Sequence, residues 1–450
     1  MSFFTKYKDV LLILISAVLY FVFAYSLERT EFKTLLFLWC TLFGCFYLLI
    51  NSKTIGTSTL IASVLFFRIL FLFAIPNLSQ DFYRFIWDGR ILFEGLNPYL
   101  SLPESFINQG TQPISETYRL YAGMGEMNGS HYTNYPPINQ LCFLIAALLS
   151  SKSLFGSIIV LRVIIIMADI GILFFGRKLL ASLNLPKKNI FWYALNPFII
   201  IEMTGNLHFE PVMLFFLVWS LYELHKQKWI LSALLLACSI SVKLIPLIML
   251  PLFYQWFVRK DQNWSTSFKK LSLFYTIVLS TTFLLFLPFY TPEFLKNYIN
   301  SISLWFQNFE FNASFYYIFR KIGYYYSGYN EIAIIGKVTS LLTFIFLMIV
   351  TFVRKNNTMI AFITVSLFGF CFYYFTASTV HPWYLATPLF LSIFTKYRFP
   401  IIWTIVVIFS YQAYSNMPLK ENLWFVLLEY FILYSFFIFE LRKTSNITKL

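Results

Sequence analysis

Charge is what this sequence has least of. Of its 450 residues only 12% are Asp, Glu, Lys or Arg, against about 25% in a typical soluble domain. Cysteine is also sparse: Cys40, Cys45, Cys142, Cys238 and Cys371 all lie in apolar runs, and no C-x-x-C pair occurs. They read as small buried hydrophobes. There are 4 histidines and no H-x-x-x-H or H-E-x-x-H pattern, so the residues offer no zinc site. No low-complexity linker, internal repeat or soluble-domain segment interrupts the chain.

What replaces the missing charge is apolar surface. Hydrophobic residues make up 59% of the chain and aromatics 21%, with 55 Phe. A water-soluble fold cannot hide so much, because single cores stop growing at about 250–300 residues. The reading is an all-α, polytopic transmembrane bundle. Apolar stretches start near residues 9, 34, 59, 136, 156, 189, 209, 229, 271, 331, 357, 383, 400 and 422, giving about 11–14 spanning or half-spanning helices. The whole of 1–450 reads as one integral membrane domain. Ala24-Tyr25-Ser26 resembles a cleavage site, but the preceding run is long for a signal peptide, so an uncleaved first helix is expected.

The formal charge is +14, and in a membrane protein that excess belongs to cytoplasmic loops facing anionic lipid. No basic run is interleaved with aromatics outside the apolar segments, which argues against nucleic acid. Lys6 and Lys8 put the N-terminus inside. Four basic clusters (Arg259, Lys260, Lys269 and Lys270; Arg354 and Lys355; Lys396 and Arg398; Arg442 and Lys443) do the same for the second half. This leaves 79–134, 291–330 and the His381 region outside. Arg177, Lys178, Lys187 and Lys188 fit only if 136–150, which opens on Pro136-Pro137, does not fully cross. The stretch 229–258 is too long for one span and carries Lys243 and Pro246 in its middle, so a broken helix or hairpin is expected.

The loop 79–134 is the longest segment without a span, and loops of that length are usually functional. Asp81, Arg84 and Asp88 share one helical face, and Tyr83, Trp87 and Arg90 a second. Such a helix is expected to lie in the membrane interface. A carboxylate there can deprotonate a hydroxyl, and arginines can neutralise a phosphate. That combination suits sugar transfer from a lipid phosphate. The alternative on local pattern is a solvated helix whose Asp and Arg merely pair. An Asp81/Asp88 divalent site is conceivable, but the arginines and Lys243 can neutralise a phosphate without it, so no metal or cofactor is assigned.

Other polar residues stand in apolar surroundings, where ionisable groups are functional candidates. Glu202 and Asn206, followed by His208 and Glu210, can reach sugar hydroxyls or simply cap a turn. Lys243 has no acidic neighbour in its run, and a lipid phosphate or snorkelling would satisfy it. His381, with Trp383 and Tyr384, can meet phosphate and stack on a sugar, or anchor at the interface.

These segments also carry a resemblance. Asp81-Phe-Tyr-Arg84-x-x-Trp87-Asp88-Gly89-Arg90, then Gly95-x-Asn97-Pro98-Tyr99 and Pro103, looks like the first external loop of GT-C membrane glycosyltransferases. It is most similar to bacterial polyprenyl-phosphomannose-dependent mannosyltransferases. Tyr135-Pro136-Pro137, Asn196-Pro197, Glu202-x-x-Gly205-Asn206-x-His208 and His381-Pro382-Trp383-Tyr384 fit in order, over about residues 79–390. The loop follows the third span here, where in many members it follows the first; two added N-terminal spans account for that.

The resemblance implies a multi-pass enzyme of the bacterial cytoplasmic membrane, with its site facing outward. It would move a sugar, mannose by likeness, from a polyprenyl-phosphate donor to a glycan or glycolipid acceptor. Asp81 would be the catalytic base and inversion the outcome. Arg84, Arg90, Lys243 and His381 would meet the phosphate. Trp87, Asp88, Tyr135, Glu202, Asn206, His208, Trp383 and Tyr384 would bind substrate. A lipid-linked oligosaccharide polymerase or ligase, and a transporter without chemistry, are the alternatives. A transporter should show two similar halves, and none is visible.

Overall fold

The computed structural model describes residues 3–150, 152–258, 263–307, 309–354, 356–416 and 420–447. Arg259, Lys260 and Lys355 of the basic clusters lie outside the described residues. The protein is all-helical; among the described residues the one β feature is an isolated bridge between Phe311 and Thr379. Among these residues 7 helices are long and apolar enough to cross a membrane, or up to 8 if a bent pair is one span. Shorter apolar helices include Thr57–Leu70, Pro137–Ser150 and Trp229–Val242. This is a multi-pass membrane protein.

The chain forms two compact units. The first comprises Met1–Phe71, Leu180–Glu202 and Phe306–Leu450. Its spans leave one face open, as lipid-facing helices do: Phe37 and Tyr47 of Phe32–Ile50 are exposed, while Trp39 is fully buried and donates from Nε1 to the Ile405 carbonyl at 3.0 Å. The second unit comprises Leu72–Leu179 and Met203–Trp305. It contains the long loop, the hairpin of Glu210–His225 with Trp229–Val242, and the span Trp264–Phe286.

Three local features follow from sequence. The stretch 229–258 is a broken helix: Trp229–Val242 stops where Lys243 turns extended (φ −146°, ψ 136°), and a 3-10 segment Ile245–Phe253 follows. Pro137–Ser150 has 14 residues, about 21 Å, short of the roughly 30 Å hydrocarbon thickness. The apolar run near 199 is a π-helix, Ile199–Gly205, followed after a short break by Glu210–His225. Helices widened in this way are rare and frequent at functional sites.

Candidate functional site

The loop helix Asp81–Phe93 corrects one expectation. It is not a surface helix with one face open; Phe82, Arg84, Phe85, Ile86, Trp87, Asp88, Gly89, Arg90 and Ile91 are all buried within the protein. The polar face is inward because its charges have partners there. Arg84 Nε donates to Asp88 Oδ1 at 2.8 Å, and Arg84 Nη1 donates to the carbonyls of Asn128 and His131. Gln140 Nε2 donates to Asp88 Oδ2 and to Thr133 Oγ1, each at 3.1 Å. Both carboxylate oxygens of Asp88 therefore face donors. Arg90 reaches Ser115, the carbonyl of Lys152 and Glu116 Oε2.

Glycine permits this packing. A Cβ on Gly89 would stand 2.2 Å from the Phe143 carbonyl oxygen, and one on Gly123 would stand 2.6 Å from the Tyr83 ring. The first contact is with the helix Pro137–Ser150, the second with Thr117–Gly129. Phe85 is then boxed by rings: Phe143 stacked at 4.8 Å, with Tyr135 and Phe209 edge-on at 5.0 and 5.6 Å.

Asp81 stands apart from this interior. It opens the helix, its N–H donates to Ser79 Oγ, and it is half-buried where Asp88 has no exposure. Just upstream, Asn206 Oδ1 accepts from the Leu78 N–H at 2.9 Å. Asn206 thus braces the approach to Asp81. His208 is buried in the same connector, beside Leu207, whose φ of +62° is a strained value for a side-chain-bearing residue. Arg162 secures this connector by donating to the carbonyls of Leu72, Thr204 and Gly205.

Lys243 has a protein counter-charge. Its Nζ pairs with Glu210, the first residue of Glu210–His225, which follows the Phe209 ring directly. The sequence reading gave this lysine a lipid phosphate because no acid lies near it in the chain; Glu210 is 33 residues away. Lys243 remains partly exposed and Glu210 is buried. Next to it, Leu244 packs on the cluster of Tyr99, Phe294 and Tyr298. Burial pushes the Tyr99 phenol well above its usual range, so it stays a neutral donor, here to the Tyr135 carbonyl at 2.5 Å.

The first unit gathers the other candidates. Buried Glu202 accepts from Tyr411 Oη. His381 stacks on Trp383 (4.5 Å between centroids) and against Phe309 and Phe311 (5.8 and 5.4 Å). The Phe311–Thr379 bridge fixes that arrangement: Phe311 N–H donates to the Ser378 carbonyl and Val380 N–H to the Phe311 carbonyl. Tyr384 stacks on Tyr374 at 5.8 Å.

Asp81, Arg84, Trp87, Asp88, Arg90, Tyr135, Asn206, His208 and Lys243 thus belong to one unit, and Glu202, His381, Trp383 and Tyr384 to the other. Gln140, Thr133 and Glu116 were missed from sequence. Gln140 had one signal, a polar residue in the first turn of an apolar helix; the others had none. Among the described residues no group of three or more His, Cys, Asp or Glu is placed to hold a metal ion.

The fold is that of a multi-pass helical membrane protein whose long loop packs its acids and arginines inside its own unit. The family model described as alpha-(1->6)-mannopyranosyltransferase, N-terminal domain, matches residues 14–259, more than half of the chain, and the protein belongs to that family. It is a mannosyltransferase of the α-1,6 type. No curated protein matches the chain.

Proposed function

We propose that the protein transfers mannose from a polyprenyl-phosphate carrier to a glycan or glycolipid hydroxyl at the outer face of the membrane, by a GT-C-like mechanism. Asp81 takes the acceptor proton. The acceptor oxygen bonds to the anomeric carbon as the bond from that carbon to the phosphate oxygen breaks. The lipid phosphate leaves with its electron pair, and the anomeric centre inverts. The partly exposed ammonium of Lys243 meets the developing phosphate charge, an electrostatic contribution that grows as water is excluded. Stacking on sugar is the role proposed for Trp383 and Tyr384, with His381 held beside them.

One observation carries the reading: of the two carboxylates on the loop helix, Asp81 is half-buried at the helix start, whereas Asp88 is fully buried between Arg84 and Gln140. Arg84 and Arg90, first expected at the phosphate, are engaged inside the unit and act by holding the loop. The test is transfer from radiolabelled polyprenyl-phosphomannose to a soluble mannan oligosaccharide in vesicles of known sidedness. Label is expected in the oligosaccharide only where the outer face is accessible, with an α-1,6 linkage. Transfer confined to inverted vesicles, or label supplied only by a nucleotide sugar, would overturn the proposal.

A further inference from the structure

The helix Phe315–Ser327 in the first unit has two unlike faces. One is gripped. Arg320 pairs with Glu310, Tyr316 Oη donates to Glu310 Oε2 at 2.6 Å, and Tyr317 donates to Glu421. Asn330 Nδ2 adds a bond to Glu310 at 3.1 Å. Burial, followed by the neighbouring Glu421, pushes the Tyr317 phenol far up, so it serves only as a neutral donor.

The other face is largely open, although its first ring, Phe315, packs on Tyr434 at 5.6 Å between centroids. Phe315, Ile318, Phe319, Ile322, Tyr325 and Tyr326 recur at i, i+3, i+4, i+7, i+10 and i+11, one stripe of a helix. Ile318 is 57% exposed, Tyr325 84% and Tyr326 82%. Apolar stripes of this size mark an interaction surface.

The chain itself argues for what covers it. Gly328, at φ +80°, ends the helix, and the span Ile332–Val353 begins after a four-residue link, 328–331. Such a link reaches at most about 14 Å, so the helix is tethered to a membrane boundary. That span also carries exposed apolar residues, Ile334, Val338 and Leu341. The tyrosines gather at the end nearest the link, where rings with polar tips suit headgroup level.

We infer that Phe315–Ser327 lies in the plane of the membrane surface, with Phe315, Ile318, Phe319 and Ile322 in the acyl boundary of phospholipid. Its gripped face then ties lipid to the segment 309–312: Asn312 N–H donates to Glu421 at 2.7 Å, and Phe311 stacks on His381. The inference does not depend on the proposed donor, acceptor or base.

The full chain is reconstituted in phosphatidylethanolamine–phosphatidylglycerol vesicles with photoreactive benzoylphenylalanine in place of Ile318, Tyr325 or, on the opposite face, Tyr324. Irradiation is expected to give phospholipid adducts at 318 and 325 at least fivefold above those at 324. Equal adducts at all three positions would overturn the inference. So would absence of lipid adducts at both 318 and 325, or their capture instead by added mannan oligosaccharide or a second copy of the chain.

Discussion

The Phe143 carbonyl oxygen stands 2.2 Å from the place a Cβ would occupy on Gly89. This contact sets how closely the loop helix lies on Pro137–Ser150, and hence whether Gln140 can reach Asp88. Gly89→Ala must push backbone from backbone, an overpacking that costs roughly 1–3 kcal/mol. A lower Tm in detergent is expected, with activity falling as Asp81 shifts. Gly44→Ala is the control, since nothing lies within 4 Å of its added methyl; it should be neutral or slightly stabilising. Equal Tm values for the two variants would show that the close approach is dispensable.

Lys243 and Glu210 make a second test. Removing the lysine alone leaves a buried carboxylate unpaired, at roughly 3–5 kcal/mol. Lys243→Met with Glu210→Gln replaces the pair with neutral groups of similar length and should restore most of the stability. If Lys243 also meets the donor phosphate, the double variant stays deficient, with a raised donor KM or a lowered kcat. Recovery of both Tm and donor kinetics would reduce the lysine to a packing partner.

These two sites show what the sequence could and could not reveal. The membrane fold was legible because apolar composition has no other solvent to serve. The importance of 79–134 was legible from its length. The burial of the loop helix was not: a wheel drawn on Asp81–Phe93 counts Arg84 and Asp88 as polar and turns them to water. They neutralise each other, and the further donor to Asp88, Gln140, lies 52 residues beyond it. The acid that pairs with Lys243 was hidden for the same reason, being distant in the chain and close in space. Periodicity reports which side chains need a polar partner and is silent on where that partner comes from. Asp81 was legible as an acid on the loop, but its exposure relative to Asp88 needed the fold.

Glu116 gives the loop a pH dependence. Burial raises its carboxyl, but hydrogen bonds and charge from Arg119 and Arg90 outweigh this and leave it below the usual carboxylate range. A depressed folded-state value means that the unfolded chain binds the proton more readily. The stabilisation is complete above the ordinary carboxylate pKa and is lost as pH falls through the folded one. The Tm of Glu116→Gln should approach that of the wild type on acidification and lie below it at neutral pH. A constant gap across that range would remove Glu116 from the loop's acid sensitivity.

Asp81 and Asp88 separate chemistry from architecture. Asn nearly matches Asp in size but cannot accept the acceptor's proton, and loss of a general base costs about 10²–10⁴-fold in rate. Asp81 is half-buried at the start of its helix while Asp88 is fully buried, so Asp81→Asn should cost less stability than Asp88→Asn and lose transfer by that order. Asp88→Asn should do the reverse. It withdraws the counter-charge from buried Arg84, and breaking such a pair costs up to roughly 3–5 kcal/mol. Protein yield and Tm should fall, while whatever folds keeps a turnover much closer to wild type. Rate must therefore be scaled to folded protein, measured by size exclusion in the same detergent. If both variants keep their Tm and lose activity alike, the two carboxylates share the chemistry, and the enclosed position of Asp88 must open during the reaction. If Asp81→Asn transfers mannose at the wild-type rate, the base is another residue and the proposed mechanism fails.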